Sequence, residues 1–382
     1  MLVAILLLVA LVGCSSAAAP AGQPSTAAAG PAAAPPSAPG GANWEAAWNA
    51  LIEAARREGT VVVKGPPTQR VRVELPAAFE ARFGVKLEYI AGPTGPYVEK
   101  LKLERQAGVY STDVFLAGAD TMYTAVYPEK MLDPIPPVLI HPDARDASQW
   151  PGGKLWFVDP EGQYILRLNN YLTSMIQLNT QYIRPEAITS WYDLLKPEYK
   201  GKIASFDPAV SGSGISTAAY LYHALGEEYI KRLYVDQEPV FSRDERQLGD
   251  WLARGTYPIV LSLTEAEMNA LRRDGLPVIN LPHPPEAPGH VTAGFGLLGL
   301  VNNAPHPNAA KLFVNWIATK EGMEIWSKAE NIVPVRLDID KSAWRPELVP
   351  RPDQPYFDTY SWEFVTETRA AVMQRLRELL RR

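Results

Sequence analysis

Residues 202–225 read KIASFDPAVSGSGISTAAYLYHAL. Lys202–Phe206 is too short for a helix and is bounded by a turn, so it predicts a strand. Gly214–Leu225 carries apolar residues at helical spacing. Between them lies Asp207–Gly214, rich in glycine and serine. A strand that feeds a helix through such a turn is the repeating unit of an α/β fold. The turn also carries chemistry. Gly212 and Gly214 let backbone N–H groups approach an anion, the start of the helix adds about half a positive charge, and Ser211 and Ser213 add hydroxyl donors. The structural alternative is a plain serine-capped helix start with flexible glycines. No Lys-Ser/Thr pair follows the glycines, so the turn is no P-loop, and it is not a GxSxG nucleophile elbow.

The same alternation runs outward on both sides. Upstream, Asn43 precedes a helix bearing Trp44, Trp48, Leu51, Ile52 and Ala55, ended by Gly59. Thr60–Lys64 (TVVVK) predicts a strand. A helix bearing Leu75, Phe79 and Phe83 follows and stops at Gly84. Val85–Ile90 predicts a strand, Tyr97–Gln106 a helix, Asp113–Leu116 a strand and Ala117–Asp120 a turn. Downstream, Trp191–Leu195 (helix), Glu227–Val235 (helix), Pro239–Phe241 (strand), Arg243–Arg254 (helix), Tyr257–Leu263 (strand), Glu265–Arg273 (helix) and Pro277–Leu281 (strand) continue it. Val291–Val301 predicts one long apolar strand. Helices Asn308–Ala318 and Glu321–Ala329 follow, and an amphipathic helix with Val365, Val372, Met373, Leu376 and Leu380 ends the chain. Two α/β halves joined by two long strands fit a bilobal hinge protein. No repeat of 20–50 residues marks a solenoid.

The 382 residues carry 37 Lys and Arg against 42 Asp and Glu, a formal charge of -5, with 47% apolar residues. The mild acidity argues against a nucleic-acid binder. Cys14 is the only cysteine, which rules out an internal disulfide. The five histidines form no HExxH and no i, i+4 pair, which argues against a zinc hydrolase. Met1–Gly13 (MLVAILLLVALVG) is too short for a hydrocarbon core that needs about 20 residues, and it fits a signal-peptide core. Leu11-Val12-Gly13-Cys14 resembles a bacterial lipobox, which implies acylation of Cys14. No Lys or Arg precedes the run, which a start upstream of Met1 would explain. Ser15–Ala42 contains only Ala, Pro, Gly, Ser, Thr and Gln and predicts a disordered tether spanning 14–43.

Several segments resemble the extracellular solute-binding proteins of ABC importers, in particular the ferric-iron-binding-like group. They are Trp48–Val63 (WNALIEAARREGTVVV), Asp193–Asp207 (DLLKPEYKGKIASFD), Pro208–Gly214 (PAVSGSG), Gly226–Leu233 (GEEYIKRL) and Ala309–Trp326 (AAKLFVNWIATKEGMEIW). The resemblance covers nearly all of Trp44–Val335 and weakens after it. It implies a two-lobed periplasmic-binding-protein type II fold with two hinge-crossing strands and a ligand cleft. Residues 44–168 and 291–335 would form lobe 1, and 169–290 and 336–382 lobe 2. It also implies transport rather than catalysis, a small solute, an ABC permease as partner, an extracytoplasmic monomer anchored to the membrane by lipid, and no cofactor.

Loops at the carboxyl ends of sheet strands face the crevice in such folds. That selects Thr68, Gln69 and Arg70, in which Arg70 suits a bidentate clamp on a carboxylate or phosphonate. It also selects Gly118 and Asp120, the latter for a ligand amine or a helix cap. In the second half it selects Ser242, Arg243, Ser262 and Thr264, beside Ser211–Gly214. Each has a bland alternative as a solvated turn or a capped helix. Ferric-binding members carry adjacent tyrosines near Ser262–Thr264. This chain has 17 tyrosines and no adjacent pair, so a small organic anion fits better than directly coordinated iron. Iron held through an anion and an anchored hydrolase are the competing readings. Gly294-Phe-Gly296-Leu-Leu-Gly299 satisfies GxGxxG, but it lies within an apolar strand and reads as a hinge passing close to another backbone. Trp150, Trp156 and Tyr164 are assigned mainly to core.

Overall fold

The computed structural model describes residues 43–92, 94–287 and 289–380. The apolar leader, Cys14 and the segment to Ala42 lie outside them. In chain order the elements begin with α1 (Trp44–Glu58), β1 (Thr60–Gly65), α2 (Gln69–Phe83), β2 (Lys86–Ala91), α3 (Thr94–Gln106), β3 (Val114–Ala117), α4 (Ala119–Thr121), β4 (Leu132–Asp133) and α5 (Pro142–Arg145). Next come β5 (Ile165–Arg167), β6 (Tyr171–Leu172), β7 (Ile176–Asn179), β8 (Ile203–Phe206), α6 (Ser213–Lys231), β9 (Val240–Ser242), α7 (Glu245–Arg254), β10 (Ile259–Leu261), α8 (Glu265–Arg273) and β11 (Val278–Asn280). Then follow β12 (His290–Thr292), β13 (Leu297–Val301), α9 (Pro307–Ala318), α10 (Lys320–Glu330), β14 (Phe357–Asp358) and α11 (Arg369–Leu379).

Two sheets make two lobes. The first has the order β2-β1-β3-β13-β4, with β5 also on β13. The second has the order β11-β7-β10-β8-β9. In each, the strands that precede the site loops run parallel: β1 with β2 and β3, and β8 with β9 and β10. Both are buried on two faces, because alternate side chains serve different cores. Val114 and Leu116 pack with Phe79, Phe313, Trp316 and Trp326, whereas Phe115 and Ala117 pack with Met122, Tyr123 and Leu297. In the second lobe Ile203, Ile259 and Leu261 face one core, and Ala204 and Val260 face the other.

The chain crosses between lobes three times, through the three strands of a small sheet, β14-β12-β6, and not through two strands alone as the sequence suggests, because residues 339–348 return to the first-lobe core before α11 packs in the second. The expected single strand Val291–Val301 is in fact two, β12 and β13, broken at residues 293–296. Gly294 takes a positive φ of 56° there. A Cβ on Gly296 would lie 2.2 Å from the Asn169 side chain on the first crossing. Gly294 and Gly296 therefore make room for side chains of that crossing, Tyr171 and Asn169, rather than for a neighbouring backbone as the sequence suggests.

Arg167 ends β5 at this point with 0% exposure. Its Nη1 donates to both carboxylate oxygens of Asp358 on β14 at 2.9 and 2.8 Å. Its Nε donates to the Asn169 carbonyl at 3.0 Å and its Nη2 to the Asn170 side chain at 2.6 Å. The guanidinium also lies 4.3 Å over the Trp156 ring.

Smaller differences from expectation have local causes. Asn43 stands at the N-cap of α1 in a helical conformation, and its side chain makes no cap hydrogen bond. Residues 191–195 form a 3-10 turn with a Ser190 capping box. Gly118–Thr121 opens a helical turn rather than ending as a loop. Residues 336–380, expected in lobe 2, divide their packing. Ile339, Trp344 and Leu348 join the first-lobe core, while Val372 and Leu376 of α11 join the second. Neighbouring Phe364 and Val365 point into cores of opposite lobes.

Candidate functional site

The loops after β8, β9 and β10 bring three helix starts together around one carboxylate. Glu245, first residue of α7, accepts from Ser213 Oγ of α6 at 3.3 Å and from the Thr264 N–H, the N-cap of α8, at 3.1 Å. Burial pushes the Glu245 carboxyl up to about 7, against those hydrogen bonds and with the nearby Glu267 charge adding to the rise. The α6 start is tightly seated. A Cβ on Gly214 would meet the Phe206 carbonyl oxygen at 2.3 Å and the Asp207 carbonyl at 3.0 Å.

The raised acidity constant sets the sign of a pH effect. A carboxyl held above its ordinary value of 4.5 contributes stability that is complete below that value and is lost as pH rises through about 7. Glu245→Gln is therefore expected to be more stable than the wild type at pH 8, by ~1–2 kcal/mol after allowance for partial exposure, and equal to it near pH 4. Urea unfolding at the two pH values checks this; a variant less stable at pH 8 would contradict it.

The other expected residues fall into distinct environments. Ser211 is exposed on the loop before α6, and half-buried Gly212 follows it with φ 145°. Arg243 precedes the Asp244 cap rather than lying in the first turn of α7, and its Nε is 3.1 Å from Asp207 Oδ2. Ser242 is absorbed locally: its hydroxyl donates to Gln247 Oε1 at 2.6 Å and accepts from Asp244 N–H at 3.0 Å. Ser262 is held at φ 68° and is 3% exposed. Its buried Oγ has no hydrogen-bond partner among the described residues.

In the first lobe, Arg70 turns away from the crevice. It pairs with Glu74 at 2.8 Å and donates to the Lys328 carbonyl at 3.1 Å. Thr68 hydrogen-bonds the Glu330 carboxyl, which burial pushes up to about 7. Gly118 packs under the Gly294 carbonyl, 3.3 Å from where its Cβ would be. Asp120 is paired with Arg369 of α11, and Arg369 Nη1 donates to Ser216 Oγ in the first turn of α6 at 3.1 Å. Burial draws Arg369 down to about 10. Asp120 thus joins the first lobe to the start of α6 through the C-terminal helix.

Gln69 alone of the first-lobe candidates lines a pocket that both lobes share. Its volume is about 460 Å³, and its lining is Pro67, Gln69, Arg72 and Val73 from the first lobe and Arg246 from the second. A second hollow of about 390 Å³ is lined only by residues from Asp244 to Thr256, so it belongs to one lobe. Arg72, Arg246, Glu245 and Arg369 are the residues that the sequence reading missed. The readable signal for the first two was a basic residue in the first turn of a helix, where the dipole opposes a cation. Among the described residues no group of three or more His, Cys, Asp or Glu side chains is placed to hold a metal ion. No described helix is long and apolar enough to cross a membrane.

Comparison with known proteins agrees with this architecture. The family model for bacterial extracellular solute-binding proteins matches residues 74–348. A Salmonella typhi periplasmic protein, provisionally named as 2-aminoethylphosphonate-binding, is 24% identical over 272 residues, 69% of this chain and 74% of that one. Among solved structures, AfuA of Actinobacillus pleuropneumoniae with fructose-6-phosphate bound superposes with a TM-score of 0.65 at 18% identity, covering 85% of this chain and 99% of that one. Iron-bound HitA of Pseudomonas aeruginosa gives a TM-score of 0.63 at 15% identity, covering 83% and 99%. With two lobes, three crossings and the loops after β1 and β9 turned to one shared pocket, the chain belongs to the bacterial extracellular solute-binding proteins and has the two-lobed type II fold of periplasmic binding proteins.

Proposed function

We propose that the protein captures a small anionic solute, a phosphonate, phosphate ester or carboxylate, between its lobes and hands it to the permease of an ABC importer. The observation that carries the reading is the shared pocket, which places an arginine from each lobe on one space without an acidic side chain in its lining. Charge of one sign on both walls suits an anion whose binding favours approach of the lobes, because only a ligand with higher affinity for the closed form shifts that equilibrium. In this reading the expected residues Gln69, Ser211–Gly214, Arg243, Ser262 and Thr264 rim the cleft. Thr68 and Asp120 hold its walls through Glu330 and Arg369. The lobes meet near 168–170 and 293–296. Cys14 carries a lipid, and 14–43 tethers a monomeric receptor outside the cytoplasm.

Calorimetry on a panel tests the reading: 2-aminoethylphosphonate, fructose 6-phosphate, citrate and ferric citrate. Submillimolar binding of at least one phosphorus or carboxylate compound is the expected result. Turnover of any of them, or a red-shifted phenolate–iron absorption band with ferric salt, would overturn it. Native mass spectrometry of protein from its own host would identify the captured class directly. Palmitate labelling that is lost in Cys14→Ser is the result expected for the anchor; unchanged labelling would contradict it.

A further inference from the structure

The two arginines of the shared pocket stand where helices disfavour them. Arg72 lies in the first turn of α2, which has no acidic residue in that turn, and Arg246 in the first turn of α7. The positive end of the helix dipole works against a cation at either place. Neither guanidinium makes a hydrogen bond or a salt bridge among the described residues. Arg72 acts on Tyr89 and Arg246 on Glu267 only through space. Their neighbours behave differently. Arg70 is tied to Glu74, Arg243 to Asp207 and Arg369 to Asp120. Meanwhile one donor from each of the starts of α6 and α8, the Ser213 hydroxyl and the Thr264 N–H, is turned to the Glu245 carboxyl. Glu245 offsets part of those positive ends as it ionises, and the guanidiniums on the shared pocket without a partner among the described residues are the arginine pair.

We infer that Arg72 and Arg246 form a two-lobe guanidinium clamp for a doubly charged phosphoryl or phosphonyl group, one arginine approaching from each side. The inference rests on the reading of the chain as an anion receptor and adds the charged group it grips and the residues that grip it. Planar guanidinium forks suit the paired oxygens of a tetrahedral anion. A dianion offers oxygens to both forks at once, whereas a single carboxylate offers one such pair. With the anion present, two like charges that repel across the pocket become two attractions to a common centre. The clamp therefore couples capture to closure. Gln69, on the same wall as Arg72, supplies a neutral donor beside it.

Calorimetry of the intact chain with 2-aminoethylphosphonate and with inorganic phosphate tests this. Arg72→Gln and Arg246→Gln are each expected to weaken binding by about 10- to 100-fold, as for loss of a hydrogen bond between charged groups. Arg70→Gln is expected to bind as the wild type. Wild-type affinity should rise with pH through the ligand's second ionisation, about 6 for a phosphonate and about 7 for inorganic phosphate, and that rise should flatten in either Gln variant. A purely structural role would not flatten it. Both variants remove exposed cations at helix starts, so unchanged melting temperatures are expected alongside. Wild-type binding retained in both Gln variants would overturn the clamp and leave the receptor reading standing. A wild type that takes up no phosphorus compound yet binds citrate would also overturn the clamp. A wild type that binds nothing in the panel would sink the receptor reading itself.

Discussion

Arg167→Met is expected to destabilise the protein by about 3 kcal/mol, the lower end of the range for breaking a buried ion pair, because Asp358 keeps 30% exposure. The physical loss is threefold. Asp358 is left with the Tyr360 N–H at 2.9 Å as a remaining donor, and the Asn169 carbonyl and the Asn170 side chain each lose one. These groups sit where the chain first crosses between lobes, so the loss falls on hinge geometry as well as on stability. Arg167→Lys keeps the charge but not the fork, and should recover only part. Pairing Arg167→Met with Asp358→Asn should recover more, since it removes the unpaired carboxylate. Urea unfolding of the four proteins decides the matter. A single variant as stable as the wild type would show that the pair does not hold the hinge.

Gly214→Ala is the second large effect. The added methyl would meet backbone atoms, the Phe206 carbonyl oxygen at 2.3 Å and carbon at 2.8 Å, which cannot rotate aside. The start of α6 must retreat from the end of β8. The expected cost is about 1–3 kcal/mol or more, as for overpacking in a filled interior. The same shift would pull Ser213 from Glu245 and Ser216 from Arg369, so solute affinity should fall with stability. Ser211→Ala is the control, because it removes an exposed hydroxyl without crowding. If Gly214→Ala melts and binds like the wild type, the loop is not the rigid seat described here. If Ser211→Ala loses as much affinity, the hydroxyl rather than the seat is what matters.

Much of the fold was legible in the chain because strand and helix differ in period. Thr60–Lys64, Lys202–Phe206 and Glu265–Arg273 carry their patterns within a few residues and formed at or next to the expected bounds. The break between β12 and β13 was not legible. Val291–Val301 is apolar throughout, and the kink answers to the Asn169 side chain on the distant partner crossing. The path of 336–348 across the first lobe was hidden for the same reason, since Trp344 and Leu348 find their partners only in the assembled core.

The site was legible in its loops and not in its charges. The strand-end rule located the turns after β1, β3, β8, β9 and β10, but not which side chain each presents. The sequence places Arg70 at the end of the turn Gly65–Arg70 and offers it as a bidentate clamp. Its Glu74 partner one helical turn on was already visible in the sequence and marks it as a surface pair. Arg72 lies two positions along, on the pocket wall. Asp120 was read as a candidate for a ligand amine, and its partner in the structure is Arg369, far along the chain.

The account depends most on lobes that draw together around a captured anion. Small-angle scattering of the intact protein, titrated with 2-aminoethylphosphonate to saturation, tests this most directly. The expected result is a fall in radius of gyration that tracks the calorimetric isotherm and disappears in the Arg72→Gln/Arg246→Gln protein. Saturating heat of binding with an unchanged scattering profile would contradict it.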